Sequence, residues 1–203
     1  MRLFVAVDLD DAIRRSVVKA IDPIKNRIAR MSGVSATWVQ ADHLHLTLSF
    51  IGEVGEELAA AVTQVMSDSL PFEPFAAALS DGGVFPPSGP PRVIWFAVGE
   101  GQEAFGTLYT EVARRLQTVR IEPEKRPFRT HLTVGRLKQA SGGSGRAIRE
   151  LLSTASVGGQ GWRVDHVTLY QSKLSPQGPT YIPLAKIPLI TGGPTSSDPM
   201  PPR

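Results

Sequence analysis

One four-residue pattern (histidine, any residue, threonine, then an aliphatic residue) occurs in two similar settings along this chain. The first copy is His-Leu-Thr-Leu at residues 45–48, and the second is His-Leu-Thr-Val at residues 131–134. Side chains two positions apart on a β-strand point to the same face of its sheet. Each copy therefore predicts a strand that presents a histidine and a threonine on one face and buries aliphatic side chains on the other.

A third match, His-Val-Thr-Leu, lies at residues 166–169. Only about 0.1 matches are expected by chance when a pattern of this kind is counted against the composition. Strands are rich in threonine, which raises the chance rate, but the excess remains. The residues flanking the third match differ from those around the first two. We therefore expect His45 and His131 to act together and His166 to have a structural role.

The hydrophobic pattern predicts strands that alternate with helices. The predicted strands carry polar residues on one face, unlike the continuous aliphatic strands of parallel sheets. This favours an α+β fold with antiparallel sheets that have helices on their outer faces. Because the motif occurs twice, we expect two similar lobes that face each other across a cleft. Predicted strands cover residues 2–9, 36–39, 43–51, 75–79, 92–98, 130–137, 162–174 and 181–185, and predicted helices begin after Asp10 and cover 56–70, 102–117 and 146–153.

Segments rich in glycine and proline mark the predicted connections. Residues 81–91 are predicted to form a loop, and residues 141–145 a flexible connector that lacks the Lys-Ser/Thr of a phosphate-binding loop. Pro23 is expected to kink or split the first helix. We predict one two-lobed domain over residues 1–187 and a disordered tail over residues 188–203, where glycine, proline and serine become frequent.

Composition narrows the chemistry. The chain has no cysteine, which excludes disulfides, thiolate nucleophiles and cysteine-ligated metal sites. A net charge of +3 permits an anionic substrate without indicating a dedicated nucleic-acid binder. No apolar run approaches the ~20 residues of a membrane span, and the first residues lack a signal-peptide pattern. We therefore expect a cytoplasmic protein that is not associated with a membrane.

Two imidazoles on facing strands suit acid–base chemistry on a phosphodiester. With ordinary pKa values of ~6.5, one can accept a proton from the nucleophile while the other protonates the leaving oxygen. The hydroxyls of Thr47 and Thr133 would donate to the remaining phosphate oxygens, where charge builds up. Arg136 follows the second motif and could hold a phosphate through paired donors.

Five segments resemble, in order, the bacterial and archaeal RNA 2′,3′-cyclic phosphodiesterases. This family is also called 2′-5′ RNA ligase-like and belongs to the two-histidine phosphoesterase superfamily. The resemblance extends from residue 1 to about residue 187. The segments are RLFVAV at 2–7, HLTLSFIGE at 45–53, PRVIW at 91–95, PFRTHLTVGR at 127–136 and LYQSKL at 169–174.

The resemblance implies a two-lobed α+β fold with pseudo-twofold symmetry and an active site between the lobes that needs no metal or other cofactor. It implies hydrolysis of an RNA or nucleotide 2′,3′-cyclic phosphate to a 2′-phosphate, by a protein expected to be a monomer. By position, His45 would be the proton donor and His131 the proton acceptor, and the family arginine falls on Arg136. The family usually has proline before the second histidine, where this chain has Thr130, which makes the local geometry of that strand less constrained.

Several alternatives stay open at the level of sequence. The same site could use a 5′-hydroxyl instead of water and act mainly as a 2′-5′ RNA ligase on tRNA halves. The cleft could also serve a non-catalytic module that binds RNA ends. His43 and His45 could form a His-x-His metal pair, completed by His131. Further candidates for RNA contact are the basic residues Arg114, Arg115, Arg120, Lys125 and Arg126 and the aromatic residues Phe50, Phe85 and Phe128.

Overall fold

The computed structural model describes residues 1–140, 143–158, 161–176 and 178–190. Within these ranges the chain forms four α-helices, nine strands and a short 3₁₀ helix, Ala41–His43. The α-helices are α1 (Asp11–Ala29), α2 (Glu56–Val65), α3 (Gln102–Thr118) and α4 (Gly143–Ser153). The strands are β1 (Arg2–Asp8), β2 (Ser35–Trp38), β3 (His45–Glu53), β4 (Phe75–Phe85), β5 (Val93–Val98), β6 (His131–Gln139), β7 (Gly161–Val164), β8 (His166–Ser175) and β9 (Gly178–Pro188).

The strands form two antiparallel sheets, which confirms the predicted α+β class. The first sheet has the order β3-β1-β8-β9, and the second has the order β2-β6-β5-β4-β7. Each half of the chain contains a strand, a helix, a motif strand and a helix in that order: β1, α1, β3, α2 and then β5, α3, β6, α4, with β2 between α1 and β3. Both halves contribute strands to the other half's sheet, because β2 pairs with β6, β4 pairs with β5, and β8 pairs with β1. The two lobes are therefore interlocked by exchanged strands.

Alternating burial along the strands and helices builds the core. In β3 the aliphatic residues Leu46 and Leu48 are buried while His45 and Thr47 are half-buried, and β6 repeats this pattern. Helix α1 buries a stripe at helical spacing, and its N-terminus is capped by Asp10, whose carboxylate accepts the backbone N–H of Ile13 at 2.8 Å. Strands β3 and β6 approach each other where the two sheets meet. The fold thus brings the motif strands together and keeps their polar faces out of the core.

The predicted loop over residues 81–91 is wrong in its first half. Strand β4 continues to Phe85, and Gly82 and Gly83 pair with Phe96 and Trp95 of β5. Glycine in a strand often marks the close approach of another group, and here a Cβ on Gly83 would lie 2.6 Å from Cη2 of Trp95. The two glycines are part of the sheet because they leave room for the aromatic rings of β5.

Several further elements differ from the prediction, among them the strand predicted over residues 162–174, which is divided at Asp165 into β7 and β8. Helix α4 begins at Gly143, so residues 143–145 are helical, whereas residues 141–142 of the predicted connector lie outside the described residues. Helix α2 ends at Val65, well before residue 70. Helix α1 runs through Pro23 without interruption.

The C-terminal part of the described chain is tied to the first sheet and to the segment after α2. Pro188 ends β9, and the backbone N–H groups of Leu189 and Ile190 donate to the carbonyls of Asp165 and Leu70. The predicted start of the tail at residue 188 is therefore too early, because residues 188–190 are paired with the rest of the chain. Residues 191–203 lie outside the described residues, so disorder there stays a prediction. None of the helices in the described ranges has the length and apolar character that crossing a membrane requires.

Candidate active site

A cleft of about 980 Å³ lies where the two sheets meet. It is lined by all five residues that the sequence singled out: His45 and Thr47 from β3, and His131, Thr133 and Arg136 from β6. The two motifs, far apart in the chain, thus contribute to the walls of one cavity. Its size suits a nucleotide or the end of a nucleic-acid strand, because pockets for small ligands span about 300–1,000 Å³.

The two motif histidines have the same local hydrogen bond. Nδ1–H of His45 donates to the carbonyl oxygen of His43 at 2.8 Å, and Nδ1–H of His131 donates to the carbonyl oxygen of Arg129 at 2.6 Å. A carbonyl oxygen can only accept, so each Nδ1 carries the hydrogen and each neutral ring has its lone pair on Nε2. Both imidazoles therefore keep Nε2 available for proton transfer.

Aromatic rings pack against both histidines. Phe4 and Tyr181 lie 4.9 Å and 5.3 Å from the His45 ring, measured between ring centroids. Phe85 and Trp95 lie 5.1 Å and 6.4 Å from the His131 ring. Rings at these separations restrict how an imidazole can turn. The sequence analysis did not name Phe4, Trp95 or Tyr181 as site residues. Strands β1 and β5 are almost entirely apolar, so their sequences give no signal for a face that lines a site.

Burial favours the neutral form of both imidazoles. Burial lowers the pKa of His45, with a further lowering by Arg14 and His43, while the His43 carbonyl and the Asp8 carboxylate act in the opposite direction. Burial also lowers the pKa of His131, and Arg136 adds to that effect. Each histidine thus has one carboxylate and one guanidinium among its charged neighbours, but the order of their effects differs: Asp8 outweighs Arg14 at His45, whereas Arg136 outweighs Glu124 at His131.

A bulge places Arg136 on the cleft side of β6. Thr133 pairs with Trp95 and Gly135 with Ile94, so Val134 is the extra residue in the pairing of β6 with β5. Without this extra residue, Arg136 and Thr133 would lie on opposite faces of the strand, because they are three positions apart and strand side chains alternate. Strand β3 has the matching irregularity: Thr47 pairs with Ala6 and Ser49 with Val5. By this correspondence Phe50, which is 52% exposed at the cleft, occupies in the first sheet the position that Arg136 occupies in the second.

His166 is placed in a different polar cluster. Its ring contacts the carboxylate of Asp165 through Nδ1 and approaches Oδ2 of Asp8 at 3.5 Å through Nε2. The hydroxyls of Thr168 and Tyr170 also donate to Asp8, each at 2.7 Å. His166 is not among the cleft-lining residues. The third motif thus also presents its histidine and threonine on one face, and both contact a carboxylate that the sequence reasoning did not identify.

The strand predicted over residues 43–51 begins at His45 instead, so His43 and His45 do not lie on one strand as the His-x-His pair requires. His43 belongs to the 3₁₀ helix that precedes β3, and its ring packs against Tyr181 at 4.8 Å while lining the cleft. The backbone turns here because the N–H groups of His43 and Leu44 donate to the carbonyls of Gln40 and Ala41. The described residues contain no group of three or more His, Cys, Asp or Glu side chains arranged to hold a metal ion.

The other candidate RNA contacts divide into two groups. Phe50, Phe85 and Phe128 all line the cleft, and Phe128 stacks on Tyr109 with 4.2 Å between ring centroids. Of the basic stretch, Arg126 also lines the cleft, whereas Arg120 and Lys125 are not among the residues that line it. Arg114 and Arg115 instead bind Glu111 on α3, and Arg115 also donates to the carbonyls of Asp68 and Ser69. These last two arginines are held by the protein itself.

Comparisons with known proteins identify the family and the fold of this chain. The sequence model of the 2′-5′ RNA ligase superfamily matches residues 15–175. The RNA 2′,3′-cyclic phosphodiesterase of Archaeoglobus fulgidus is 40% identical over 181 residues, which cover 89% of this chain and 96% of that relative. The crystal structure of TT0787 from Thermus thermophilus has a TM-score of 0.75 at 29% identity, covering 95% of this chain and 100% of that one. That of Escherichia coli LigT complexed with ATP has a TM-score of 0.69 at 25% identity, covering 94% and 98%. These matches confirm the resemblance found in the sequence.

Proposed function

Because this chain belongs to the 2′-5′ RNA ligase superfamily, we propose that it hydrolyses 2′,3′-cyclic phosphates at the ends of RNA or on nucleotides, leaving a 2′-phosphate. One observation carries the proposal: two histidines line one cleft, and each donates Nδ1–H to the carbonyl two residues before it, which leaves the lone pair of the neutral ring on Nε2. The relatives named RNA 2′,3′-cyclic phosphodiesterase support the choice of substrate.

His131 acts as the proton acceptor and His45 as the proton donor in this proposal. Neutral His131 takes a proton from water as the water oxygen bonds to phosphorus. The bond between phosphorus and the 3′-oxygen breaks, and charged His45 protonates that leaving oxygen. The products are a 2′-phosphate and a 3′-hydroxyl, and solvent resets the two imidazoles. Arg136 beside His131 favours the neutral form that a base requires.

Thr47, Thr133 and Arg136 are the proposed donors to the non-bridging phosphate oxygens. Two hydroxyls and one guanidinium, all lining the cleft, would stabilise the charge that develops on those oxygens in the transition state. The guanidinium can supply two parallel hydrogen bonds, which a lysine cannot. All of these steps use protein side chains alone, so we propose that the reaction needs no metal ion.

The rest of the cleft suits an RNA end. Arg2, Arg92, Arg126 and Arg129 line it as well, and they would attract the phosphates of neighbouring nucleotides. Exposed Phe50 offers an apolar ring to a base or ribose, and base–aromatic stacking contributes about 1–3 kcal/mol per base. The similar E. coli protein LigT was solved with ATP, which supports a nucleotide at this site.

Ligation of RNA ends is a second candidate, favoured by the family match. If a 5′-hydroxyl took the place of water, the same pair of histidines would form a 2′-5′ linkage by the same displacement: His131 would accept the hydroxyl proton, and His45 would protonate the 3′-oxygen as its bond to phosphorus breaks. Supplying both RNA ends and comparing the amounts of joined and hydrolysed product separates the two activities.

The test is an assay of a short RNA that ends in a 2′,3′-cyclic phosphate, with and without EDTA, followed by mapping of the product phosphate. We expect a 2′-phosphate in either buffer. His45→Asn and His131→Asn should each lose at least about a hundredfold in kcat, since asparagine keeps a donor near Nδ1 but has no group at Nε2. His43→Asn is the matched control, because His43 also lines the cleft but has no catalytic role here.

Three results would contradict the proposal. Turnover that disappears with EDTA would point to a metal site. A 3′-phosphate product would mean that the bond between phosphorus and the 2′-oxygen breaks instead of the bond to the 3′-oxygen. Unchanged turnover in both motif variants would remove the histidines from the reaction, and RNA binding without turnover in the unmodified protein would favour the non-catalytic module.

A further inference from the structure

The pseudo-symmetry of the two motif strands is broken at one position beside each histidine. In the first sheet the residue directly opposite His45 is Asp8 of β1. In the second sheet the residue directly opposite His131 is Ala97 of β5. Directly paired residues of antiparallel strands point to the same face, with Cβ atoms about 4.5–5.5 Å apart. One histidine therefore has a carboxylate beside it where the other has a methyl group.

The Asp8 carboxylate is held by three donors from β8. Tyr170 donates to Oδ1 and Thr168 to Oδ2, both at 2.7 Å, and Nε2 of His166 lies 3.5 Å from Oδ2. Burial opposes the charge on Asp8, but the hydrogen bonds from His166, Tyr170 and Thr168 outweigh it and lower the pKa of Asp8 to about 2. Asp8 is therefore an anion at neutral pH. Its oxygens are occupied by β8, so it acts on His45 through space.

Among the described residues, Asp8 is the one anion that acts on the pKa of His45. Helix α1 contributes Arg14, which donates to the carbonyls of Ala41 and Leu44, and the 3₁₀ helix contributes His43. Strand β9 contributes Tyr181, and burial raises the pKa of that phenol, which keeps it neutral. The facing strand β6 contributes His131 and Arg136 to the same cleft.

We propose that Asp8 is a positioning residue that supports the protonated form of His45 and so makes His45, rather than His131, the proton donor. The inference rests on the proposed function and adds to it a physical reason for the division of roles. The third motif then also has a purpose in the reaction, since His166 and Thr168 hold the carboxylate in place. Near His131 the guanidinium of Arg136 outweighs the carboxylate of Glu124, which also lines the cleft, and this balance suits the opposite role.

The direct test is an NMR titration of the imidazoles in the ligand-free protein, comparing the unmodified chain with Asp8→Asn. We expect the titration midpoint of His45 to move to lower pH and that of His131 to stay in place. At an effective dielectric constant between those of protein and water, a carboxylate at cross-strand distance changes the protonation constant of an imidazole by about tenfold, which moves its titration midpoint by about one pH unit. The alkaline limb of the kcat/KM profile should move in the same direction. A role in folding alone would instead lower the rate equally at every pH.

A second pair of variants keeps the test decisive if Asp8→Asn does not fold. Ala97→Asp introduces the missing carboxylate beside His131 and should move the His131 midpoint to higher pH, while the isosteric control Ala97→Asn should not. If the His45 midpoint is unchanged in folded Asp8→Asn, or the His131 midpoint is unchanged in Ala97→Asp, the inference is overturned. The NMR midpoints of His45 and His131 are measured without substrate, so they test the inference independently of the proposed function. The proposed function itself fails if the unmodified protein does not hydrolyse the cyclic phosphate.

Discussion

Gly83 is the position where one added methyl group should disturb His131 most cleanly. Gly83 lies opposite Trp95 in the pairing of β4 with β5, and an added Cβ would lie 2.6 Å from Cη2 and 2.9 Å from Cε2 of the indole. Ordinary Cβ contacts begin at 3.4 Å, so the Gly83→Ala variant must displace the indole by about 1 Å. Trp95 stacks on Phe85, and both rings pack against His131. The displacement is therefore transmitted to the imidazole.

The expected effects follow from the size of this displacement. Overpacking costs about 1–3 kcal/mol in the free energy of unfolding. A misplacement of about 1 Å at a catalytic group can cost on the order of a hundredfold in rate. We therefore expect kcat for an RNA 2′,3′-cyclic phosphate to fall by about ten- to a hundredfold, with a much smaller change in KM. Urea unfolding and steady-state kinetics on the same preparation measure the two effects.

Gly106→Ala is the matched control for Gly83→Ala. Gly106 lies inside helix α3, and an added Cβ there has no other atom within 4 Å. The same change should stabilise the protein by about 0.5–1 kcal/mol and leave kcat unaltered. If Gly83→Ala keeps the kcat of the unmodified chain, the packing of Trp95 against His131 does not matter for the reaction and the reasoning fails.

Three further variants test other parts of the account. Asp10→Ala removes the acceptor for the N–H of Ile13 and should lower the free energy of unfolding by about 1 kcal/mol in urea; no change would mean that the cap is not stabilising. The pKa of Asp8 is about 2 in the folded protein, compared with 3.8 for an unperturbed aspartate. The ionised carboxylate therefore stabilises the folded state above pH 3.8, and this stabilisation is lost as the pH falls towards 2. Asp8→Asn should therefore be less stable than the unmodified chain at pH 7, and thermal unfolding should show this difference in stability narrowing as the pH falls from 3.8 towards 2. A difference in stability that does not change with pH would contradict the lowered pKa of Asp8. Thr133→Val should reduce kcat by about ten- to a hundredfold while Thr133→Ser keeps most of it, and equal loss in both would show that the hydroxyl is not the donor.

The sequence predicted the parts of the site that depend on local alternation. A histidine and a threonine two positions apart, followed by an aliphatic residue, describe one polar and one apolar strand face, and β3 and β6 show this burial pattern. The fold class followed from the same alternation, because strands with one polar face do not form a buried parallel sheet. Two copies of the motif also sufficed to predict two facing lobes.

The parts that were missed depend on residues distant in the chain. Gly82 and Gly83 have the composition of a loop, and only the aromatic rings across β5 explain why they continue β4. Asp8 looks like the end of a buried strand, and its partners Thr168 and Tyr170 lie in the last third of the sequence. Strict alternation from Thr133 would place Arg136 on the face of β6 that points away from the cleft. The bulge at Val134 places it on the cleft face instead. Such features require the pairing of strands to be known.

The most direct test of the central claim is a crystal structure of the protein with adenosine 2′-phosphate, which represents the proposed product. We predict that the phosphate lies between β3 and β6, with Nε2 of His45 and Nε2 of His131 each about 3 Å from one of its oxygens, and with Arg136 on a third. A phosphate that contacts only one of the two histidines, or that binds elsewhere on the protein, would contradict the account.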